Sequence, residues 1–190
     1  MTRKNKLGFA LVVAASIALL FGAFASSAAT ANDARQPLEY DVYLKLDGID
    51  GEGTAKGYEK WIPLTSVRLG VTNASNAAAG GSGRGKASAT PVVVTKRPDA
   101  ASVPLFLATA NGTFIKKGVI AFVSRGEAPR TVLSYELNDV AIASYEADNA
   151  FETLELSYSA LTIAYSAQKP DGSGSPPIKG GFNFAKNAKL

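Results

Sequence analysis

The feature that most constrains this chain is a series of short segments whose apolar residues recur at every second position, each closed by Gly, Pro, Asn or Asp. The clearest runs from Leu38 to Leu46. Tyr40, Val42, Leu44 and Leu46 fall on one side, and Glu39, Asp41, Tyr43 and Lys45 on the other, which is the pattern of a half-buried strand. Asp47 to Gly57 is dense in Gly and acidic residues and must turn. Tyr58 to Thr72 then resumes β-like composition around Trp61, Ile62, Leu64, Val67, Leu69 and Val71, with Pro63 marking an edge or a start. Thr90 to Arg97, with three consecutive valines, reads as a strand buried on both sides.

One interruption has a different period. Asp99 or Ser102 offers an N-cap, and Val103, Phe106, Leu107 and Ala110 form an apolar stripe at helical spacing. Gly112 is placed to end the helix in a left-handed conformation. Strands return at Phe114–Ser124, Arg130–Leu137, Val140–Glu146, Thr153–Ala167 and Ile178–Phe184. Asn138-Asp139 is among the breaks, and a bulge is expected at Ser159-Ala160. About eight strands and one helix describe a mainly β domain, an antiparallel β-sandwich or closed barrel.

The 190 residues contain neither Cys nor His. That excludes disulfides, thiol nucleophiles, a Ser-His-Asp triad and a His-based zinc site, and no cofactor is expected. The length fits one domain able to bury a continuous core.

The start of the chain reads as an export signal. Arg3, Lys4 and Lys6 precede an apolar and small-residue run from Leu7 to Phe24. Ala23-Phe24-Ala25 and Ala29-Thr30-Ala31 are cleavage candidates. Cleavage between Ala31 and Asn32 is preferred over an uncleaved anchor because Ala, Ser and Gly accumulate towards the end of the run. This divides the chain into a signal, 1–31, and one domain, 32–190, exported by the general secretory route to the periplasm or the medium and not held in a membrane. Without the signal, seventeen basic side chains face sixteen acidic ones, so the formal charge of +4 is mostly a targeting feature. No basic stripe remains for nucleic acid.

Several motifs have bland explanations. Gly80 to Ala87, GGSGRGKA, approaches a phosphate-binding loop, but Ala87 replaces the required hydroxyl and a strand rather than a helix follows. Asp47, Asp50 and Glu52 offer oxygen ligands in a segment that turn chemistry already explains. Asn73-Ala74-Ser75 and Asn111-Gly112-Thr113 match glycosylation acceptors, the second doubling as a helix end. Glu136, Asp139, Glu146, Glu152 and Glu155 are read as a solvated face rather than catalytic pairs. Trp61, Tyr145, Tyr158, Tyr165, Phe182 and Phe184 are read mainly as core.

Three stretches in order, VYLKLDGIDGEG from Val42, TKRPDAASVPLFLATANGTFI from Thr95 and QKPDGSGSPPIKGGFNFAKN from Gln168, resemble the haemolysin-coregulated protein (Hcp) family of bacterial type VI secretion. The resemblance covers the chain after about residue 40. It implies a non-enzymatic protein that forms hexameric rings with copies of itself, stacks them into a tube, and carries small effectors behind spike components. It also implies that the Gly-rich loop 73–89 bridges rings, which makes Asn73, Asn76, Gly80, Gly83, Arg84 and Lys86 candidate stacking residues. Family tubes assemble in the cytoplasm, so an export signal departs from the pattern and implies an exported relative. The rival class is a secreted monomeric β-sandwich that binds carbohydrate or another surface ligand.

Overall fold

The computed structural model describes residues 40–73, 86–125, 129–167, 169 and 173–190. The export signal, with Ala31 and Asn32, lies outside them. Eleven strands and one helix follow in order: β1 Tyr40–Leu46, β2 Ile62–Arg68, β3 Val71–Asn73, β4 Ala87–Ala89, β5 Val92–Lys96, α1 Ser102–Asn111, β6 Phe114–Ser124, β7 Thr131–Asp148, β8 Phe151–Ser157, β9 Ala160–Tyr165, β10 Ile178–Asn183 and β11 Ala188–Lys189.

Nine strands form one antiparallel sheet in the order β11-β10-β9-β7-β6-β1-β2-β5-β8, and β8 also pairs with β7. That last pairing closes six strands, β7-β6-β1-β2-β5-β8, into a barrel and leaves β9, β10 and β11 as a wing. The length of β7 makes this possible. Its first half, Leu133 to Asn138, pairs with β9, while Ala141 to Asp148 pairs with β8. Between them Asp139 takes a left-handed conformation (φ 52°), which a short polar side chain tolerates. Asn138-Asp139, expected to separate two strands, instead bends one. Its carbonyl and carboxylate receive the β8–β9 connection: Ser159 N–H donates to Asn138 O at 3.0 Å, and Ser159 Oγ lies 2.6 Å from Asp139 Oδ2. The expected long strand Thr153–Ala167 divides there into β8 and β9.

The barrel interior is filled by alternate residues, as the pattern in β1 predicts: Val42, Leu44 and Leu46 are buried, with Ile62, Val92, Val94, Ile120, Leu137, Leu154 and Leu156 facing them. Pro63 lies near the start of β2. A second, smaller apolar layer lies outside the barrel. Tyr43 stacks on Tyr58 (centroids 5.1 Å), which meets Trp61 edge-on, and the Tyr58 hydroxyl lies 2.6 Å from Thr131 Oγ1. Tyr43 stands opposite Ala121, and Ala121, Val123 and Val132 are buried on this outer side.

The helix ends as predicted. Gly112 is left-handed (φ 62°), and its N–H donates to Thr109 O at 3.2 Å. The predicted apolar stripe is reversed. Leu105 and Ala108 are buried, while Val103 is 67% exposed, Phe106 54% and Leu107 49%. Nor does a side chain cap the start: Ala101 holds the cap position, and Asp99 and Ser102 turn towards a lysine.

That lysine is Lys96, at the end of β5 and fully buried. Its Nζ lies 2.6 Å from Glu152 Oε2, 2.8 Å from Asp99 Oδ1 and 3.1 Å from Ser102 Oγ. Glu152 also accepts from Ser102 Oγ (2.9 Å) and Tyr145 OH (2.9 Å). One cation and two carboxylates thus join β5, β7, β8 and the start of α1, where negative charge also suits the helix dipole. Glu152, read in sequence as part of a solvated face, is only 4% exposed. Burial alone would raise its pKa, but hydrogen bonds from Lys96, Ser102 and Tyr145 and the charge of Lys96 bring it below its ordinary 4.5.

Removing the lysine leaves two buried carboxylates facing each other, so Lys96→Met is expected to lower unfolding stability by about 3–5 kcal/mol in urea denaturation. Because the Glu152 carboxyl is depressed in the folded state, its stabilisation is complete above pH 4.5 and drains away as pH falls through the lower folded-state value. Stability measured from pH 6 downwards should therefore fall less steeply in Glu152→Gln than in the parent chain, starting from a lower value; parallel curves would contradict this assignment.

Candidate assembly surfaces

The acidic turn after β1 serves structure. Asp50 bonds Lys45 (2.6 Å) and lies 3.4 Å from Lys60; the hydrogen bond from Lys45 is the main reason its carboxyl titrates below the ordinary value. Glu52 Oε1 accepts the N–H of Ala100 at 3.1 Å, which ties this turn to the approach of α1. Gly51 and Gly53 pair with the segment before β2, through Gly51 N–H to Lys60 O (2.9 Å) and Gly53 N–H to Trp61 O (2.7 Å). A Cβ on Gly53 would stand 2.6 Å from Tyr58 O, and one on Gly51 2.7 Å from Ile62 Cα. Close backbone approach therefore requires glycine in DGIDGEG.

Of the other sequence-singled carboxylates, Glu136 pairs with Lys117 at 2.9 Å and Asp139 meets Ser159, whereas Glu146 and Glu155 are exposed. Among the described residues no group of three acids could hold a metal ion. The aromatics expected mainly in the core lie on its margin. Tyr145, Tyr158 and Phe184 pack against it, Phe182 sits 5.2 Å from Phe184, Trp61 covers the outer layer, and Tyr165 is 47% exposed.

The Gly-rich loop springs from a ribbon. Asn73 ends β3, and Lys86 immediately precedes β4, so Ala87–Ala89, expected within the loop, is a strand paired with Val71–Asn73. Asn76, Gly80, Gly83 and Arg84 lie outside the described residues. The ribbon brings the two described candidates, Asn73 and Lys86, to one end.

The sheet continues past the barrel without cover. Opposite residues in register place Ile120, Tyr135, Ile163 and Gly180 on one side and Ala121, Ser134, Ala164 and Lys179 on the other. The first side is the core side carried outwards into the wing, where Ile163, Tyr165 and Ile178 are 36%, 47% and 77% exposed. β10 pairs with β11 only at Phe182 and Asn183, so Ile178 to Gly180 have no second neighbour among the described strands.

With this arrangement established, a protein-family model described as "Type VI secretion system effector, Hcp" matches residues 43–165. The chain belongs to that family. Among solved structures it is similar to a type six secretion system protein (28% identity, 80% of this chain and 99% of that one, TM-score 0.74). It is also similar to Hcp1 of Salmonella typhimurium (28%, 80% and 99%, TM-score 0.64) and to Hcp2 of the same organism (26%, 78% and 99%, TM-score 0.60). A search of curated proteins gave no match. The six-stranded barrel with one helix is thus an Hcp fold, and the mainly β domain expected from sequence is the one found.

Overpacking the turn should be costly: Gly53→Ala is expected to lose about 1–3 kcal/mol in chemical denaturation with little change in far-UV circular dichroism. A substitution of no cost would mean that the turn relaxes freely.

Proposed function

We propose that this Hcp-family chain is a structural subunit that assembles into rings of six, stacked as a tube able to carry small effectors, and that it does so after export through the general secretory pathway. The observation that carries the reading is the uncovered wing. A chain whose barrel core is complete still extends three strands beyond it, with an apolar side and an open β10 edge. Exposed edges are an aggregation hazard unless another chain takes them up. Repeating one head-to-tail contact by a fixed rotation closes a ring, and Hcp-family membership supplies the expectation of six. The opposite side of the same strands carries Lys117, Ser134, Glu136, Thr162 and Lys179, a polar lining suited to a solvent-filled bore. On this reading the protein acts by assembly rather than catalysis, and the ribbon of β3 and β4 holds the loop that bridges rings.

Residues 32–190 should give a six-fold mass by light scattering and annular particles in negative stain. Replacing residues 74–85 by a short Gly-Ser link should keep single rings and abolish stacks. A monomer at every micromolar concentration would overturn the ring reading in favour of a secreted ligand-binding β-sandwich.

A further inference from the structure

Among the exposed charges without an ion pair in the described residues, two groups of opposite sign lie on the wing and on the β7–β8 hairpin. In the wing, Lys179, Lys186 and Lys189 are exposed and make no ion pair; in the β7–β8 hairpin, Glu146, Asp148 and Glu155 are exposed and make none. Register puts the three acids on one side of the hairpin. Ser144 stands opposite Glu155, Glu146 opposite Thr153, and Asp148 opposite Phe151. Phe151 is the apolar member of that side, 41% exposed, with Arg97 stacked at 5.4 Å from its centroid.

The wing offers the matching shape. A groove of about 300 Å³ is lined by Val71, Ala87, Ile163, Gly180, Phe182 and Phe184. Lys189 stands opposite Phe182, hence on the groove's side, and Lys186 lies in the turn between them. Gly180 is informative because neither of the usual reasons for glycine applies. Its φ is not positive, and a Cβ there would meet nothing within 4 Å. Its missing side chain deepens the groove without serving the fold of its own chain.

We propose that the wing of one copy receives the β7–β8 hairpin of the next, with Phe151 seated in the groove at Gly180 and the hairpin carboxylates facing Lys186 and Lys189, the two wing lysines at the groove. This contact rests on the ring reading above and supplies its joint. The occupant is a second copy because the same chain carries both the basic apolar socket and the acidic apolar knob, on different elements. A self-contact between unlike surfaces is the head-to-tail kind that a ring needs, and complementary charge sets partner and register.

The test is a charge swap in residues 32–190, read by light scattering at about 0.1 M salt, where surface charges still act over about 10 Å. One variant carries Lys186→Glu and Lys189→Glu, a second Glu146→Lys, Asp148→Lys and Glu155→Lys, and a third all five. Each one-sided variant should lower the assembled fraction about tenfold or more, and the variant with all five substitutions should restore it to within about twofold. Gly180→Leu, which adds bulk without charge, should also prevent assembly while circular dichroism stays unchanged. One-sided reversals that leave assembly intact, or a combined variant that does not recover, would overturn this joint and leave the ring reading standing. A monomeric parent would remove both. A charge-sensitive dimer would keep the joint and overturn the ring.

Discussion

The arrangement depends most on the buried lysine at the end of β5. Closing a barrel requires β8 to reach both β5 and β7, and the three elements meet at Lys96, Glu152 and Tyr145. The same ammonium holds Asp99 and Ser102, so the helix is fastened where the barrel closes. Such a group is costly to bury, and buried ion pairs are often no more stabilising than well-packed apolar substitutes. What it adds is direction: Glu152 of β8 and the Asp99–Ser102 segment converge on one ammonium at the end of β5, which reinforces the register already set by the buried face of β8. Asp99 Oδ2, buried without a partner, is part of that cost.

β7 imposes the second constraint. No single neighbour spans the eighteen residues of β7: within the barrel, β6 pairs with Thr131 to Ala141 and β8 with Ala141 to Asp148. The left-handed bend at Asp139 lets the first half serve the wing and the second half close the barrel. The wing is therefore a direct consequence of closure, since the half of β7 that does not pair with β8 must pair elsewhere or stand as an edge. Its apolar side continues the core side of β6 and β7, so the surface exposed there is core-like by construction.

The sequence made the strands legible where burial is one-sided. The alternation in β1 gave the correct inward face, and the Gly after α1 gave its end, because both signals arise within the segment. Long-range signals were not legible. The stripe Val103, Phe106, Leu107 and Ala110 has helical spacing, but spacing does not say which side meets the barrel, and Leu105 and Ala108 do. Glu152 read as solvent-facing because its partners lie 56 residues away at Lys96 and 50 away at Ser102. Asn138-Asp139 carries turn chemistry that a bend within a strand also uses. Of the six candidate stacking residues, Asn73 and Lys86 are brought together by a ribbon that low-complexity composition had concealed.

Export and tube formation pull the reading of this chain in different directions, and the physics of the wing bears on which demand its surface answers. A secreted monomer has reason to blunt an open strand edge with inward charges, proline or a covering loop. Along Ile178 to Gly180 the only such device is the charge of Lys179, on the side away from the groove; the groove side carries Gly180, an isoleucine 77% exposed and, opposite Phe182, Lys189. Lysines at an edge discourage indiscriminate pairing with like copies of that edge while remaining compatible with an acidic partner. The charges of the wing thus disfavour pairing with a second copy of the same edge. An isologous pairing of two wings is disfavoured by charge, and a contact between unlike surfaces is the form of association that this edge leaves open.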